Sequence, residues 1–412
     1  MNKFFKYIKA KDYCKKVFDG THDTPKPTEV GMPLITSKHI APFTLLFDDA
    51  YKISIEDCNN INKRSQVSQW DILFSMIGTI GNLYLEKSEE IKYAIKNMGV
   101  FSCGNKEKAS FLYYYLQSPI AKQHIQSCLN GAVQKFLPLG ALRDFPVPAY
   151  SDEYNKLTKV LSTIDDKIEL NNKINKELEQ MAKTLYDYWF VQFEFPDEFK
   201  RAYKSSNGPM TYNEVLKREI PVGWEVKNIK ELSEMVWGQC PAGKNILPLD
   251  SQDENTLPYC SGAGDMPNCW GVSCQALTNN SRRQVGKGAI LLSVAGTIGK
   301  MSISNRTISL GRATLGVIPH NPLYLSFLIW FIKSYTNRLQ QISVGAVQKI
   351  INNASLEEMN FPFSKDLVNQ YEYLNKITHL LIKNEEENVY LSNLRDFLLP
   401  MLMNGQVSVI QP

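Results

Sequence analysis

The stretch RSQVSQWDILFSMIGTIG at residues 64–81 decides the architecture, because RRQVGKGAILLSVAGTIG follows at residues 282–299. Ten of the eighteen positions are identical at an offset of 218 residues, whereas unrelated stretches of average composition would share about one. Each copy contains a short apolar run bounded by glycine, which is typical of a buried strand. The glycines of GTIG predict a tight turn after that strand, since glycine tolerates positive φ. The sequence therefore predicts an internal duplication.

Further similarities occur in the same order in both halves of the chain, and each half ends in a long helical pattern. The matching segments are GAVQK at 131–135 and 345–349, LYYYLQS at 112–118 with LIWFIKS at 328–334, and FPVP at 145–148 with NFPF at 360–363. We therefore expect an α+β fold in which two duplicated globular domains are separated by two long helices. The predicted boundaries are domain 1 at 1–150, helix 1 at 151–196, a polar linker at 197–220, domain 2 at 221–364 and helix 2 at 365–412.

Both helical patterns carry an apolar seam with alternating steps of three and four residues, which predicts a coiled coil. The first seam is Leu157, Leu161, Ile164, Ile168, Asn171, Asn175, Leu178, Ala182, Leu185 and Trp189. The second seam is Leu374, Ile377, Leu381, Asn384, Asn388 and Leu391, followed by a stutter to Leu394, Leu398 and Met401. Two halves related by a pseudo-two-fold axis would pair these helices antiparallel, so that the mid-seam asparagines meet and fix the register. Solvation of those positions, where the helices splay, is the alternative.

Composition limits the class of protein without naming it. The chain has 412 residues, a net charge of +4 and a pI of about 8.4, which permits nucleic-acid binding but does not require it. No stretch approaches about 20 consecutive apolar residues and the start lacks an apolar signal segment, so a cytoplasmic protein without a membrane partner is expected. The eight cysteines form no CxxC pair, which favours free, mostly buried thiols over a metal site.

Two segments resemble catalytic motifs but lack the context that the chemistry requires. Residues 238–245, GQCPAGKN, follow a phosphate-loop pattern in which Asn replaces the magnesium-binding Ser or Thr, and Pro248 interrupts the helix that should follow. Residues 321–324, NPLY, differ by one residue from an amino-methyltransferase motif, yet no glycine-rich cofactor loop accompanies them. We therefore predict neither a catalytic site nor a cofactor.

Several strings in this order resemble the specificity subunits of type I restriction-modification enzymes. They are FDGTHDTP at 18–25, GMPLITSKHI at 31–40, DILFSMIGTIG at 71–81, WFVQFEFP at 189–196 and IPVGWEV at 220–226. The resemblance implies a non-catalytic subunit whose two target-recognition domains each read half of a bipartite double-stranded DNA site. It further implies that the helices set the spacer and dock methyltransferase subunits, two of them, with a restriction or translocase subunit left open. A self-contained DNA modification enzyme and a coiled-coil scaffold without a DNA role are the alternatives.

The duplication sorts the candidate DNA contacts, because residues shared by both halves cannot distinguish two different half-sites. The shared residues, expected to contact the DNA backbone or to hold the fold, are Arg64 and Arg282, Thr79 and Thr297, Gln134 and Gln348, and Lys135 and Lys349. The divergent residues, expected at base edges, are Ser65 against Arg283 and Asn82 against Lys300, with His22, Lys26, Lys38 and His39 in domain 1 and Gln239, Lys244, Arg306 and Arg312 in domain 2. For each residue, an ordinary solvated side chain remains the alternative.

Overall fold

The computed structural model describes residues 6–129, 135–342 and 350–403 and divides into two compact units. Unit 1 comprises Met1–Leu170 with Val389–Pro412, and unit 2 comprises Asn171–Asn388. The division falls inside two long helices, Glu153–Tyr186 (helix 1) and Val368–Met403 (helix 2). Each unit is therefore one globular domain together with a segment of both helices.

Domain 1 is built on a four-stranded antiparallel sheet in the order Lys16–Asp19, Met98–Ser102, Asp71–Ser75, Leu83–Leu85. Its other strands are Tyr7–Lys9, Met32–Ile35, Ile40–Ala41, Thr44–Leu45, Lys52–Ile53, Ala94–Ile95 and Pro146–Pro148. Its helices are Ala10–Tyr13, Ile55–Ser65, Lys106–Gln117, Pro119–Ser127 and Leu139–Arg143, with a 3₁₀ turn at Ser37–His39. The strand Asp71–Ser75 is buried throughout, as expected for an apolar run with no alternation.

Domain 2 repeats this sheet in the order Ser233–Trp237, Thr314–Pro319, Ile290–Ser293, Met301–Ile303. Its other strands are Glu225–Asn228, Ile246–Leu247, Leu257–Cys260, Ala276–Thr278, Gln284–Val285, Ile308–Leu310 and Asn360–Phe363. Its helices are Ile229–Leu232, Leu325–Ile342 and Asn353–Glu357, with 3₁₀ turns at Gly243–Asn245, Ala263–Asp265 and Pro322–Tyr324. The shared strand order confirms the duplicated α+β fold.

In unit 2 the two long helices run antiparallel. Asn171 Nδ2 donates to Asn388 Oδ1 at 3.0 Å, and Asn384 Nδ2 donates to Asn175 Oδ1 at 2.8 Å. From Asn171 to Asn175 along helix 1, the partner on helix 2 changes from Asn388 to Asn384, so the two helices run in opposite directions. The mid-seam asparagines therefore meet one another; their role in fixing register, and a coiled-coil twist, stay predictions.

In unit 1 the end of helix 2 packs into the core of domain 1. Leu399, Leu402 and Met403 are buried in one cluster with Leu161 of helix 1. The sequence placed Leu398 and Met401 in this part of the seam, and both are only half-buried. The buried positions are shifted by one residue around Pro400, which cannot donate the usual helical hydrogen bond.

The segment after helix 1 is more ordered than a polar linker. The helix continues as a π-type turn, Asp187–Val191, and the predicted linker contains a hairpin of Met210–Asn213 and Arg218–Pro221. Phe193 and Phe195 each lie with their ring centroids 5.3 Å from that of Trp224. Aromatic packing thus attaches this segment to domain 2.

All eight cysteines are free thiols, and five of them are buried. The one that is exposed is Cys240. Within the described ranges, no helix is both long enough and apolar enough to cross a membrane.

The asparagine contact in unit 2 is testable by replacing Asn388 with alanine. The variant leaves the Asn171 amide without one acceptor in a buried seam, so we expect the free energy of unfolding to fall by about 1–3 kcal/mol. Asn393→Ala on the same helix is the matched control, because Asn393 is exposed. Urea unfolding followed by circular dichroism measures both variants, and equal losses for the two would contradict the expectation.

Candidate DNA interface

The duplicated GTIG segment forms the same turn in both domains. Ser75 Oγ donates to the Thr79 carbonyl at 2.5 Å, and Ser293 Oγ donates to the Thr297 carbonyl at 2.6 Å. The backbone N–H of Gly81 also bonds the Ser75 carbonyl, as that of Gly299 bonds the Ser293 carbonyl. In each domain, the last serine of the strand thus hydrogen-bonds the turn that follows it in the same way.

The backbone conformation of this turn, with a positive φ, favours glycine. Gly78 has φ 77° and Gly296 has φ 71°, a region that other residues enter at a cost. The turn leaves the threonine side chains, Thr79 and Thr297, exposed at equivalent places. Asn82 and Lys300, which differ between the halves, follow directly, half-buried and exposed respectively. A shared frame thus presents one shared and one divergent polar side chain.

His22 and Arg64 lie together in domain 1, beside the end of the strand Lys16–Asp19. His22 Nε2 is 3.1 Å from Asp19 Oδ2, and its Nδ1 is 2.7 Å from Asn97 Oδ1. Arg64 donates to the Gly20 carbonyl at 3.2 Å and lies 3.7 Å from Asp19. Both residues line an open cleft of about 550 Å³. The cleft is lined by Arg64 as well as by the acidic residues Asp23 and Asp57.

Arg282 and Arg283 occupy the corresponding place in domain 2. They line a cleft of about 380 Å³ along the strand Ser233–Trp237, with Glu234 and Trp237 opposite them. This strand is the counterpart of Lys16–Asp19 in the sheet order. Both arginines are exposed, and no carboxylate within the described ranges pairs with them. The duplicated arginine therefore lies beside the equivalent strand in each half.

Gln239 and Arg312 come together at a third place, the loops around Cys240. The Gln239 backbone N–H bonds the Leu310 carbonyl at 2.9 Å. Hydrogen bonds from the Tyr259 hydroxyl and the Arg312 backbone lower the pKa of the Cys240 thiol. A phosphate loop would be followed by a helix, but here the strand Ile246–Leu247 follows. Residues 238–245, which resemble a phosphate loop in sequence, therefore form a turn that leads into this strand. Residues 321–324 likewise form the turn that begins the helix Leu325–Ile342.

Two predicted contacts are wrong, because their side chains are buried. His39 is fully buried, and its Nδ1 accepts the Thr36 backbone N–H at 2.9 Å within the 3₁₀ turn. Burial lowers the pKa of His39, so the ring is held neutral as a capping group. Ser65 is 1% exposed and donates to the Ile61 carbonyl one helical turn earlier. Neither side chain presents a surface to DNA.

The remaining predicted contacts are exposed but separate. These residues are Lys26, Lys38, Lys135, Lys244 and Arg306. Among the described residues, no hydrogen bond or ion pair joins any of them to the candidate contacts at the two arginine clefts, the GTIG turns or the loops around Cys240. Three predicted contacts lie outside the described residues: Gln134, Gln348 and Lys349.

The residues that hold this surface in place were missed by the sequence reasoning. Asp19 anchors both His22 and Arg64, and Asn97 holds the far side of the imidazole. Asp19 stands in the quoted string FDGTHDTP, so that motif could have indicated it. Asn97 is 75 residues from His22 and carries no local signal.

Comparison with known proteins identifies the family of the chain. A family model described as the type I restriction modification DNA specificity domain matches residues 5–180 and 221–388. The chain belongs to this family. The specificity subunit of the HindI type I restriction enzyme from Haemophilus influenzae is 23% identical over 61% of this chain and 66% of its own. The putative MjaX specificity subunit from Methanocaldococcus jannaschii is 22% identical, covering 97% of this chain and 92% of its own.

A solved structure shares the fold. The type I restriction-modification S subunit from M. genitalium has a TM-score of 0.56 and 14% identity, over 100% of this chain and 98% of that one. This chain is thus a DNA sequence-specificity subunit of the type I restriction-modification class, with a recognition role rather than a catalytic one. The alternatives of a self-contained modification enzyme and of a scaffold without a DNA role are set aside.

The glycine requirement of the GTIG turn in domain 2, residues 296–299, is testable by replacing Gly296 with alanine. A Cβ at this position would meet no atom within 4 Å, so only the positive φ penalises the substitution. We expect a loss of about 1–2 kcal/mol in unfolding free energy. Gly243→Ala is the matched control, because it also has open space and lacks the positive φ. Equal unfolding midpoints in urea for the two variants would show that the turn does not require glycine.

Proposed function

We propose that each domain reads one half of a bipartite double-stranded DNA site, while the two long helices set the number of base pairs between the halves. The single observation that carries this is the repeated frame, in which the same sheet, turn and arginine recur with different neighbouring polar side chains. Two copies of one fold that differ in these polar side chains suit a DNA site whose two halves have different sequences. The helices suit a fixed spacer, because a helix of ~36 residues extends ~54 Å at 1.5 Å per residue.

In this proposal the shared residues contact the phosphate backbone. Arg64 and Arg282 are exposed beside equivalent strands, and Thr79 and Thr297 are exposed on equivalent turns. Lys135 is exposed as well. The same role for Gln134, Gln348 and Lys349 rests on the sequence repeat alone. Phosphate contacts fix the position of a protein on the duplex and carry no sequence information.

The divergent residues read base edges. Arg283 is exposed, whereas its repeat partner Ser65 is buried, so only domain 2 offers a reader at that position. Lys300 and Asn82 both follow the turn, and lysine favours guanine edges while asparagine favours adenine. The exposed His22, Lys26 and Lys38 extend this set in domain 1. Gln239, Lys244, Arg306 and Arg312 extend it in domain 2.

The chain binds methyltransferase subunits, two of them in this proposal, through the outer faces of its helices. In unit 2, Ile174 and Met181 of helix 1 are 40% and 42% exposed, and Tyr373 and Leu380 of helix 2 are 47% and 50% exposed. Exposed apolar side chains in rows indicate protein contact surfaces. Whether a restriction or translocase subunit joins is left open by these residues.

Replacing Arg283 with alanine tests the reading of bases. We expect relaxed preference at one base position of the second half-site, at a cost of about 1–3 kcal/mol in binding free energy. Lys135→Ala should instead weaken all sequences about equally and lower the slope of log affinity against log salt by about one unit. The measurement is a binding titration of the complex with methyltransferase, on DNA with each half-site scrambled in turn, at several salt concentrations.

The control in that experiment is the contrast between the two variants on the same DNA set. Even weakening by Arg283→Ala together with altered base preference in Lys135→Ala would refute the assignment of roles. Site-independent binding by the unmodified complex would refute the proposed function itself.

Replacing Leu380 with glutamate tests the docking surface. A charge in the middle of an apolar contact must be desolvated, so binding of the methyltransferase subunit should weaken by tenfold or more, about 1.4 kcal/mol. Lys383→Glu, at an exposed polar position one turn away, is the control. Calorimetric titration of the subunit into each variant measures the effect, and equal affinities for the two would exclude this face.

A further inference from the structure

A polar cluster connects domain 1 to both long helices within unit 1. Tyr114 Oη of the domain donates to Asp165 Oδ2 of helix 1 at 2.8 Å. Arg395 Nη1 of helix 2 donates to Asp165 Oδ1 at 3.2 Å. The guanidinium of Arg395 also lies 5.4 Å from the ring centroid of Phe43, which comes from the domain. One carboxylate thus receives a donor from the domain and another from the second helix.

Burial makes this cluster stiff. Asp165 is 4% exposed and Tyr114 is 3% exposed, while the side chain of Arg395 is 17% exposed. Burial raises the pKa of Asp165, and the bonds from Tyr114 and Arg395 oppose that shift by favouring the charged form. A buried carboxylate that loses a partner is strongly unfavourable, so this geometry tolerates little movement.

A second bridge holds the same domain to helix 1 from the side. Lys87 Nζ is 2.8 Å from Asp166 Oδ1 and 2.7 Å from Glu169 Oε2. This pair is more exposed than the Asp165 cluster, so water and salt weaken it. It would keep the domain attached if the buried cluster were broken, but with more freedom to turn.

The cluster also adjoins the GTIG turn of domain 1, residues 78–81. Arg395 and Phe43 line an open cleft of about 420 Å³, and Gly81 and Asn82 line the same cleft. The helix that carries Arg395 therefore meets the domain next to a side chain proposed to read bases.

Unit 2 has a comparable cluster, built from different residues. Tyr114 matches Trp330 in the repeat of LYYYLQS with LIWFIKS. Lys333 Nζ lies 4.6 Å from the ring centroids of both Trp330 and Trp270, and 3.4 Å from Glu179 of helix 1. Trp270 Nε1 donates to the same carboxylate. In both units, then, a carboxylate on helix 1 joins a cation to aromatic rings of the domain.

We propose that the cluster of Tyr114, Asp165, Arg395 and Phe43 sets the spacer length that the subunit accepts, by fixing the angle of domain 1 on the two helices. Arg395 is a positioning residue here, because it acts through the domain and does not contact DNA. This inference rests on the proposed function, since it concerns the gap between two half-sites.

The physical reason lies in the geometry of the duplex. Each added base pair moves the next half-site by about 3.4 Å along the axis and turns it by about 35°, given about 10 base pairs per turn. A domain locked on its helices cannot follow that rotation, so a spacer that is one base pair too long or short is rejected. A domain held only by the exposed Lys87 bridge can follow it in part.

The experiment begins with the methylated site of the full chain co-expressed with its methyltransferase subunits, mapped by sequencing that detects methylated bases. The purified complex is then titrated with duplexes that carry both half-sites and the mapped spacer, or one base pair more or less. The variants are Arg395→Gln, Tyr114→Phe and the control Asp396→Asn. Asp396 is the other acceptor of Arg395, exposed and one residue away, so its loss leaves the Asp165 bond intact.

For Arg395→Gln we expect discrimination against the altered spacers to fall by about tenfold, the factor expected for losing a charge-assisted hydrogen bond. Binding to the mapped spacer should change much less. Tyr114→Phe should shift the preference in the same direction by a smaller factor, and Asp396→Asn should keep the discrimination of the unmodified chain. Base preference within each half-site should stay unchanged in all three.

Equal weakening on all three spacers by Arg395→Gln would overturn the proposal, since a merely structural role predicts that result. If Arg395→Gln fails to fold, Tyr114→Phe decides, because it removes one hydroxyl and keeps the ring; unchanged discrimination in that variant overturns the proposal. If the unmodified complex has no preferred spacer, the proposed bipartite function fails. If it has one and the folded variants keep it, only the role of this cluster fails.

Discussion

An amphipathic helix loses the benefit of its apolar stripe unless something covers that stripe, and here each long helix needs the other. Neither repeat of the chain supplies both members of the pair, because helix 1 follows domain 1 and helix 2 follows domain 2. Unit 1 therefore takes Leu399 and Leu402 from the far end of the sequence into the same core as Leu161. Unit 2 joins Asn171 to Asn388. Each domain therefore packs with segments of both helices, and in unit 2 asparagines at mid-seam contact one another across the helix pair.

The two globular domains share a common frame but differ in the polar side chains beside it. Ser75 and Ser293 hold identical turns, and the arginines at 64 and 282 lie beside equivalent strands. The side chain after the turn, Asn82 in one domain and Lys300 in the other, thus differs although the turn is the same. The same separation appears where the domains meet the helices: Tyr114 in one and Trp330 in the other occupy matching positions, yet they find different partners.

The sequence predicted the features that depend on local periodicity or on the repeat: the two domains, the strand and turn of GTIG, and the asparagines in mid-seam. It failed where burial depends on distant residues. His39 and Ser65 have polar side chains in polar strings, and only the tertiary fold buries them. The hairpin at Met210–Asn213 and Arg218–Pro221 was missed because its strands lack regular alternation of apolar residues. Arg395 finds Asp165 across 230 positions, a distance at which no spacing rule operates. Around Pro400, the buried residues of helix 2 lie one position away from those that the seam predicted.

The split composition of unit 1 has a consequence for synthesis on the ribosome. Unit 2 is a continuous stretch, Asn171–Asn388, and all of its parts emerge together. The first 170 residues of unit 1 are made before unit 2, and its second segment is made after unit 2. At ordinary elongation rates, the interval is on the order of ten seconds or more. During that time the apolar side chains of domain 1 that pack against Leu399, Leu402 and Met403 lack these partners. Unit 1 is therefore completed only after unit 2 has been made, although its globular domain is synthesised first.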